Sequence, residues 1–235
     1  MSTIEILIIS ALSVFQSIFG IGLLVIGTPI FLQLGYDFFS VLNILLPFSI
    51  VISFLQFITD KSNNFDFKKN FFYISVPFLI ISLLILKYFY KEIDIITTVA
   101  IAMIIFSLIN ILVLKHYFKF RINKSLMKLC LAILGILHGL TNLGGPFLTL
   151  ISSNISKDKI EIRSNISFGY LIFGIIQLSF VMLYTNSFAL NNAVYLLIPL
   201  ITFLFSQKFY QAASSMTFSL LINVFILIYG LYIVS

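Results

Sequence analysis

The chain has 235 residues, a net charge of +6, 60% hydrophobic but only 9% charged residues, and a mean hydropathy of +1.14. A water-soluble domain carries about 25% charged residues to cover its surface, so this composition excludes one. The basic residues sit in short loops between apolar runs, which excludes a nucleic-acid footprint and matches a multi-pass protein of the lipid bilayer.

Eight apolar segments follow in order, at roughly 4–34, 39–59, 70–87, 94–114, 126–152, 164–184, 190–206 and 214–234. Several reach or approach the roughly 20 apolar residues that cross a core about 30 Å thick. Met1–Gln16 carries Glu5 and no Lys or Arg, so no cleavable leader is expected there. The single cysteine, Cys130, forbids an internal disulfide and is expected to be a small packing residue.

The first and fifth segments differ from the rest. Segment 4–34, as one helix at about 1.5 Å per residue, would be roughly 46 Å long, which exceeds any core. Both are interrupted by glycine and proline, at "FGIGLLVIGTPIFLQL" (Phe19–Leu34) and "HGLTNLGGPFLTL" (His138–Leu150). Seven of the eleven glycines lie in or just before these stretches, namely Gly20, Gly22, Gly27, Gly135, Gly139, Gly144 and Gly145. Such breaks end or kink helices. A re-entrant hairpin accounts for both length and break, since irregular backbone is tolerated at depth where protein buries it.

The most polar loop, 115–124, divides the chain into two sets of four segments, predicting one integral domain of two repeats, 1–118 and 119–235. Placing Pro29 on Pro146 also pairs Gly27 with Gly144 and Gly22 with Gly139. With a four-residue gap, Gln56 falls on Gln177. Loop charge then separates two topologies. If all eight segments cross, the two sides hold 8 and 6 Lys and Arg; if segments 1 and 5 return to their starting side, the split is 12 to 2. Only Lys87 and Lys91 remain on the poor side, so the positive-inside rule favours six spans plus two hairpins. The expected fold is all-α: two inverted four-segment repeats, each a re-entrant or broken helix hairpin plus three transmembrane helices. Both termini are then expected outside the cytoplasm.

Thr28-Pro29 and Gly145-Pro146 read as helix starts, because proline suits the first helical position. Helix N-termini present unpaired N–H groups and about half a positive charge, so two opposed tips predict a dipole-lined anion site. Candidate substrate contacts are Gly22, Gly27, Thr28, Pro29, His138, Thr141, Asn142, Gly144, Gly145 and Pro146, with Gln56 and Gln177 at membrane depth and Arg163 at an inner mouth. Gln16 and Asn43 are the other polar residues expected at that depth.

Each candidate has a plainer alternative. Small residues in membrane helices serve packing more often than ligands, and buried Gln often bonds only across helices. His138 is balanced between a structural bond and a proton-carrying role, and Arg163 between an anchor and an anion guard. No enzyme is indicated: paired carboxylates, metal-ligand spacing, a GxSxG elbow and a Walker loop are all missing. No cofactor or metal is expected.

"GIGLLVIGTPIFLQLG" (Gly20–Gly35) and "GILHGLTNLGGPFLTL" (Gly135–Leu150), each opening a four-segment half, resemble the TauE/SafE family of sulfite and organosulfonate exporters. Gly20, Gly22 and Pro29 match glycines and proline of its first motif, with Leu23 and Leu24 replacing two further glycines. Gly135, Gly139, Gly144, Gly145 and Pro146 match the spaced glycines ending in Gly-Gly-Pro of its second. Asn142 stands where a glycine is frequent, and Arg163-Ser164 resembles the start of the following helix. The resemblance implies secondary transport of a small sulfur-containing anion across a bacterial cell (inner) membrane. It leaves a coupling ion, H+ or Na+, and a homodimer open. An uptake carrier or channel for another small solute, or a non-transporting membrane subunit, are the alternatives.

Overall fold

The computed structural model describes residues 1–60, 64–89, 92, 94–114, 123–156, 158–185 and 193–212, with positions 224, 227–228 and 230–232 beyond them. Every regular element among these residues is helical. The order is α1 (Thr3–Phe19), α2 (Leu23–Gln33), α3 (Phe38–Thr59), α4 (Phe65–Asn70), a π-helical turn (Phe71–Ser75), α5 (Val76–Phe89), α6 (Ile95–Leu114), α7 (Lys124–Thr141), α8 (Gly145–Ile155), α9 (Lys159–Thr185), a 3-10 turn (Ala193–Leu196) and α10 (Leu197–Ala212). Most of the expected segment 214–234 lies outside the described residues.

Four helical stretches are long and apolar enough to cross a membrane: Phe38–Thr59, Phe65–Phe89, Lys124–Thr141 and Lys159–Thr185. The outward faces of α5 and α6 are as greasy as the core. Phe78, Ile81, Leu84 and Ile85 on α5, and Ile101, Ile105 and Leu108 on α6, are exposed, as contact with lipid requires and water would not tolerate in a patch this large. The all-helical, apolar architecture expected from composition is present.

Local chemistry decides where the helices start. Ser2, Asp37, Asn64 and Asn123 each accept a hydrogen bond from the backbone N–H three residues on, capping α1, α3, α4 and α7. Asp94 does the same for α6 through Thr97. Helices α2 and α8 differ: glycines Gly22 and Gly144 stand at their N-caps, and neither end has a side-chain cap.

The first and fifth apolar segments are each broken once, between α1 and α2 and between α7 and α8. Beyond the first break, residues of α2 meet progressively earlier residues of α1. A Cβ at Gly22 would stand 3.0 Å from Phe15 Cβ, and one at Gly27 3.1 Å from Leu12 Cδ1. After α2 ends, the Tyr36 hydroxyl donates to Glu5 at 2.7 Å.

Helices α3 and α9 form the central pair and run antiparallel. Tyr184 packs on Phe39 (centroids 4.7 Å apart), Gly174 faces Ile50, Phe168 packs on Phe57 (5.9 Å), and Arg163 pairs with Asp60. Helix α1 packs on α10, whereas α7 packs on α5 and its preceding π-helical turn. The α7–α5 approach depends on small residues. A Cβ at Gly135 would overlap the Ser75 carbonyl, and one at Gly139 would overlap Ser82 Oγ. These two glycines therefore serve helix contact, the plainer role open to small residues in a membrane bundle.

Candidate functional site

The two breaks share one C-cap geometry. At the first, Gly20 is left-handed (φ 77°) and its N–H donates to Gln16 O at 2.8 Å. At the second, Asn142 is left-handed (φ 61°) and its N–H donates to His138 O, also at 2.8 Å. A left-handed residue at the helix end is the usual C-cap, favouring glycine and then asparagine, which explains why Asn142 stands in a glycine-like position. A glutamine serves each break: Gln56 Nε2 donates to Gln16 O (2.7 Å) and Ser17 O (3.0 Å), and Gln177 Nε2 to His138 O (3.4 Å). The breaks thus correspond at Gly20 and Asn142, with Gln16 opposite His138 and Gln56 opposite Gln177.

This corrects one expectation. Pro29 does not begin a helix; α2 starts at Leu23, and Pro29 lies inside it. The two glycines Gly20 and Gly22, with φ of 77° and 141°, let the chain turn well before the proline. At the second break the expectation matches, since Pro146 occupies the first turn of α8.

His138 is 1% exposed and fully engaged. Its Nδ1 accepts from the Gly144 N–H (3.1 Å) and its Nε2 meets Gln177 Oε1 (3.1 Å), an arrangement that assigns the proton to Nε2. Phe173 stacks on the ring at 4.8 Å and Tyr170 meets it edge-on at 5.7 Å. A second proton at Nδ1 would displace the Gly144 N–H that closes the break. At the first break, Gln16 bonds Ser49 (2.9 Å) and Ser53 (3.1 Å) on α3 instead.

The start of α8 meets the start of α2. A Cβ at Gly145 would stand 2.8 Å from Val25 Cγ2 and would overlap the Tyr170 hydroxyl. Asn142 Nδ2 donates to Thr28 Oγ1 at 2.9 Å, tying the second break to α2. Thr28 and Asn142 are fully buried, and Tyr170 is 1% exposed. Asn142 Oδ1 and the Tyr170 hydroxyl have no hydrogen-bond partner among the described residues. Such groups cost free energy unless something satisfies them.

The remaining candidates lie apart from this contact. Thr141 is turned to its own backbone, donating to Leu137 O (2.7 Å) and accepting from Leu143 N–H (3.2 Å). Gly22 packs on Phe15 and Gln16, and Gly27 on Leu45 and Leu12. Arg163 does not stand at an open mouth. It is 3% exposed and grips Asp60 through Nε and through Nη2 (2.7 Å), while Nη1 donates to Ser17 O (3.2 Å), Nη2 to Gln207 (3.3 Å), and Cζ lies 3.3 Å from the Tyr210 ring centroid. It is therefore neither a loop anchor nor an unpaired cation in this conformation.

Tyr170, Val25 and Asp60 were not singled out by the sequence. A signal for Tyr170 was there to find: Arg163, Ser167, Tyr170, Gly174 and Gln177 recur at helical spacing along one stripe of α9. No protein-family model, curated protein or solved structure matches the chain.

Proposed function

We propose that the protein is a secondary transporter of small, sulfur-containing anions (sulfite, sulfonates or related), bound between two opposed helix tips near the membrane midplane. The observation that carries this reading is the meeting of two buried helix N-termini, α2 and α8, at Val25 and Gly145. Helices α1, α3, α4, α6 and α7 are capped by side chains; these two begin inside the protein on glycine. Their first-turn N–H groups have no intrahelical acceptor, and their dipoles favour an anion.

In this reading α1–α2 and α7–α8 are re-entrant arms of two inverted repeats, 1–118 and 119–235. The antiparallel run of α3 against α9, the first helix after each hairpin, supports it, because a two-fold axis in the membrane plane relates such equivalents. Arm length supports it too. Helices α2 and α8 have 11 residues each, about 16 Å, which reaches the middle of a core about 30 Å thick. Helix α7 is long enough to span by itself, but Lys124 and Lys128 belong at the headgroups, leaving a shorter apolar arm. Charge distribution agrees with the loop count: Lys68 lies over Phe57 and Phe168 near the Asp60 end, whereas Lys87 lies 5.8 Å from the Tyr184 ring at the other. In this reading the Asp60 end is cytoplasmic and both termini lie outside a bacterial inner membrane. The glycine-proline motifs supply the sulfur-oxyanion class through their resemblance to TauE/SafE exporters.

Coupling by protonation of His138 is disfavoured by its Nδ1 bond to Gly144. The substrate's own ionisation, or Na+ at carbonyls of the breaks, is the route that fits. The test is flux of labelled methanesulfonate and sulfite in proteoliposomes, with and without ion and pH gradients. Concentrative, gradient-driven flux is expected, and Gly145→Val should abolish it while leaving the protein in the membrane. Wild-type flux in Gly145→Val sinks the site, purely downhill flux marks a channel, and no flux at all marks a non-transporting subunit.

A further inference from the structure

We infer that Tyr170 is the residue that selects the ligand, and that the site takes a singly charged oxyanion in preference to a doubly charged one. The inference rests on the transport reading above. Tyr170 is 1% exposed, its hydroxyl has no partner among the described residues, and it abuts Gly145, the first residue of α8. A buried phenol without a partner is costly to keep. Here it stands beside a helix N-terminus that lacks a side-chain cap, so its O–H and the dipole converge on the same point.

Neighbouring groups add donors and no charge. The Thr28–Asn142 pair uses Nδ2 as donor and Thr28 Oγ1 as acceptor, which leaves the Thr28 O–H to give. If the amide is assigned the other way round, the spare donor is Nδ2 instead. The Tyr170 edge also rests on the His138 ring, whose proton is committed to Gln177. The two buried side chains carrying a formal charge among the described residues, Asp60 and Arg163, neutralise each other elsewhere.

The charge balance follows. Two helix N-termini supply about half an elementary charge each, together about one. A monoanion is matched by that field. A dianion is not, because the cost of removing an ion from water rises with the square of its charge while the attraction rises only in proportion. Hydrogen-bond donors without a cation therefore favour a sulfonate over a sulfate of similar shape.

The test uses purified full-length protein in detergent, with methanesulfonate and sulfate as probes at one pH and ionic strength, read by calorimetry and by ligand-induced shift of the unfolding midpoint. Wild type is expected to bind methanesulfonate at least about tenfold more tightly than sulfate. Tyr170→Phe is expected to weaken methanesulfonate at least about tenfold, the loss of one hydrogen bond to a charged acceptor, without lowering the ligand-free midpoint. Gly145→Ala, whose methyl would occupy the hydroxyl's place, is expected to weaken it as well. Unchanged binding in Tyr170→Phe overturns the role of the hydroxyl, and a lowered ligand-free midpoint assigns that hydroxyl to the fold and overturns it too. Equal affinity for sulfate overturns the charge selection. Each of those results leaves the transport reading standing, whereas wild type binding neither probe removes both.

Discussion

Breaking the Arg163–Asp60 pair should cost far more than either residue's position near a loop suggests. The side chains are 4% and 7% exposed, and two guanidinium nitrogens grip both carboxylate oxygens. Two further acceptors, Ser17 O and Gln207, and the face of Tyr210 complete the shell. Removing one partner strands a buried charge, at about 3–5 kcal/mol. Asp60→Asn should fall in that range, and Arg163→Met toward its upper end because it also gives up the bonds to α1 and α10, about 1 kcal/mol each. The double variant strands nothing, so its loss should fall short of the sum of the single losses by at least about 2 kcal/mol. The assay is a double-mutant cycle on reversible unfolding in mixed detergent micelles. Additivity within about 0.5 kcal/mol would refute the reasoning and return Arg163 to the role of a surface anchor.

Other perturbations separate packing glycines from the break. Gly135→Ala would drive its methyl into the Ser75 carbonyl, and Gly139→Ala into the movable Ser82 side chain. Both should destabilise by about 1–3 kcal/mol, Gly135 the more, as read by unfolding midpoint. At the second break, Asn142→Ala must hold φ near 61°, costing about 1–2 kcal/mol besides the bond to Thr28. Asn142→Gly should recover most of the backbone share. Equal losses for Ala and Gly would show that the left-handed turn is not what Asn142 provides.

The membrane class was legible because it depends on composition, which needs no tertiary information. The breaks in segments 1 and 5 were legible too, since clustered glycine and proline are local signals. Their register was not. Proline marked the start of α8 correctly, but α2 begins at Leu23, where Gly20 and Gly22 supply left-handed geometry that proline cannot. Pairing Pro29 with Pro146 therefore shifted the first tip. The match of Gln56 with Gln177 did anticipate two residues that serve equivalent carbonyls. Asp60 and Tyr170 are hard to read from the sequence for a different reason. Asp60 looks like the first residue of a charged loop, and only the antiparallel approach of α9 buries it against Arg163. Tyr170 looks like one more aromatic among many, and only a glycine on another helix leaves space for its hydroxyl.

The direction in which each broken segment returns is tested most directly by labelling single cysteines in a Cys130→Ser background with a membrane-impermeant maleimide. Ser2→Cys and Leu34→Cys bracket α1–α2, and Lys124→Cys and Asp158→Cys bracket α7–α8. The account predicts that 2 and 34 react from one side and 124 and 158 from the other. Finding 2 and 34 on opposite sides, or 124 and 158 on opposite sides, would contradict two re-entrant tips meeting from opposite faces.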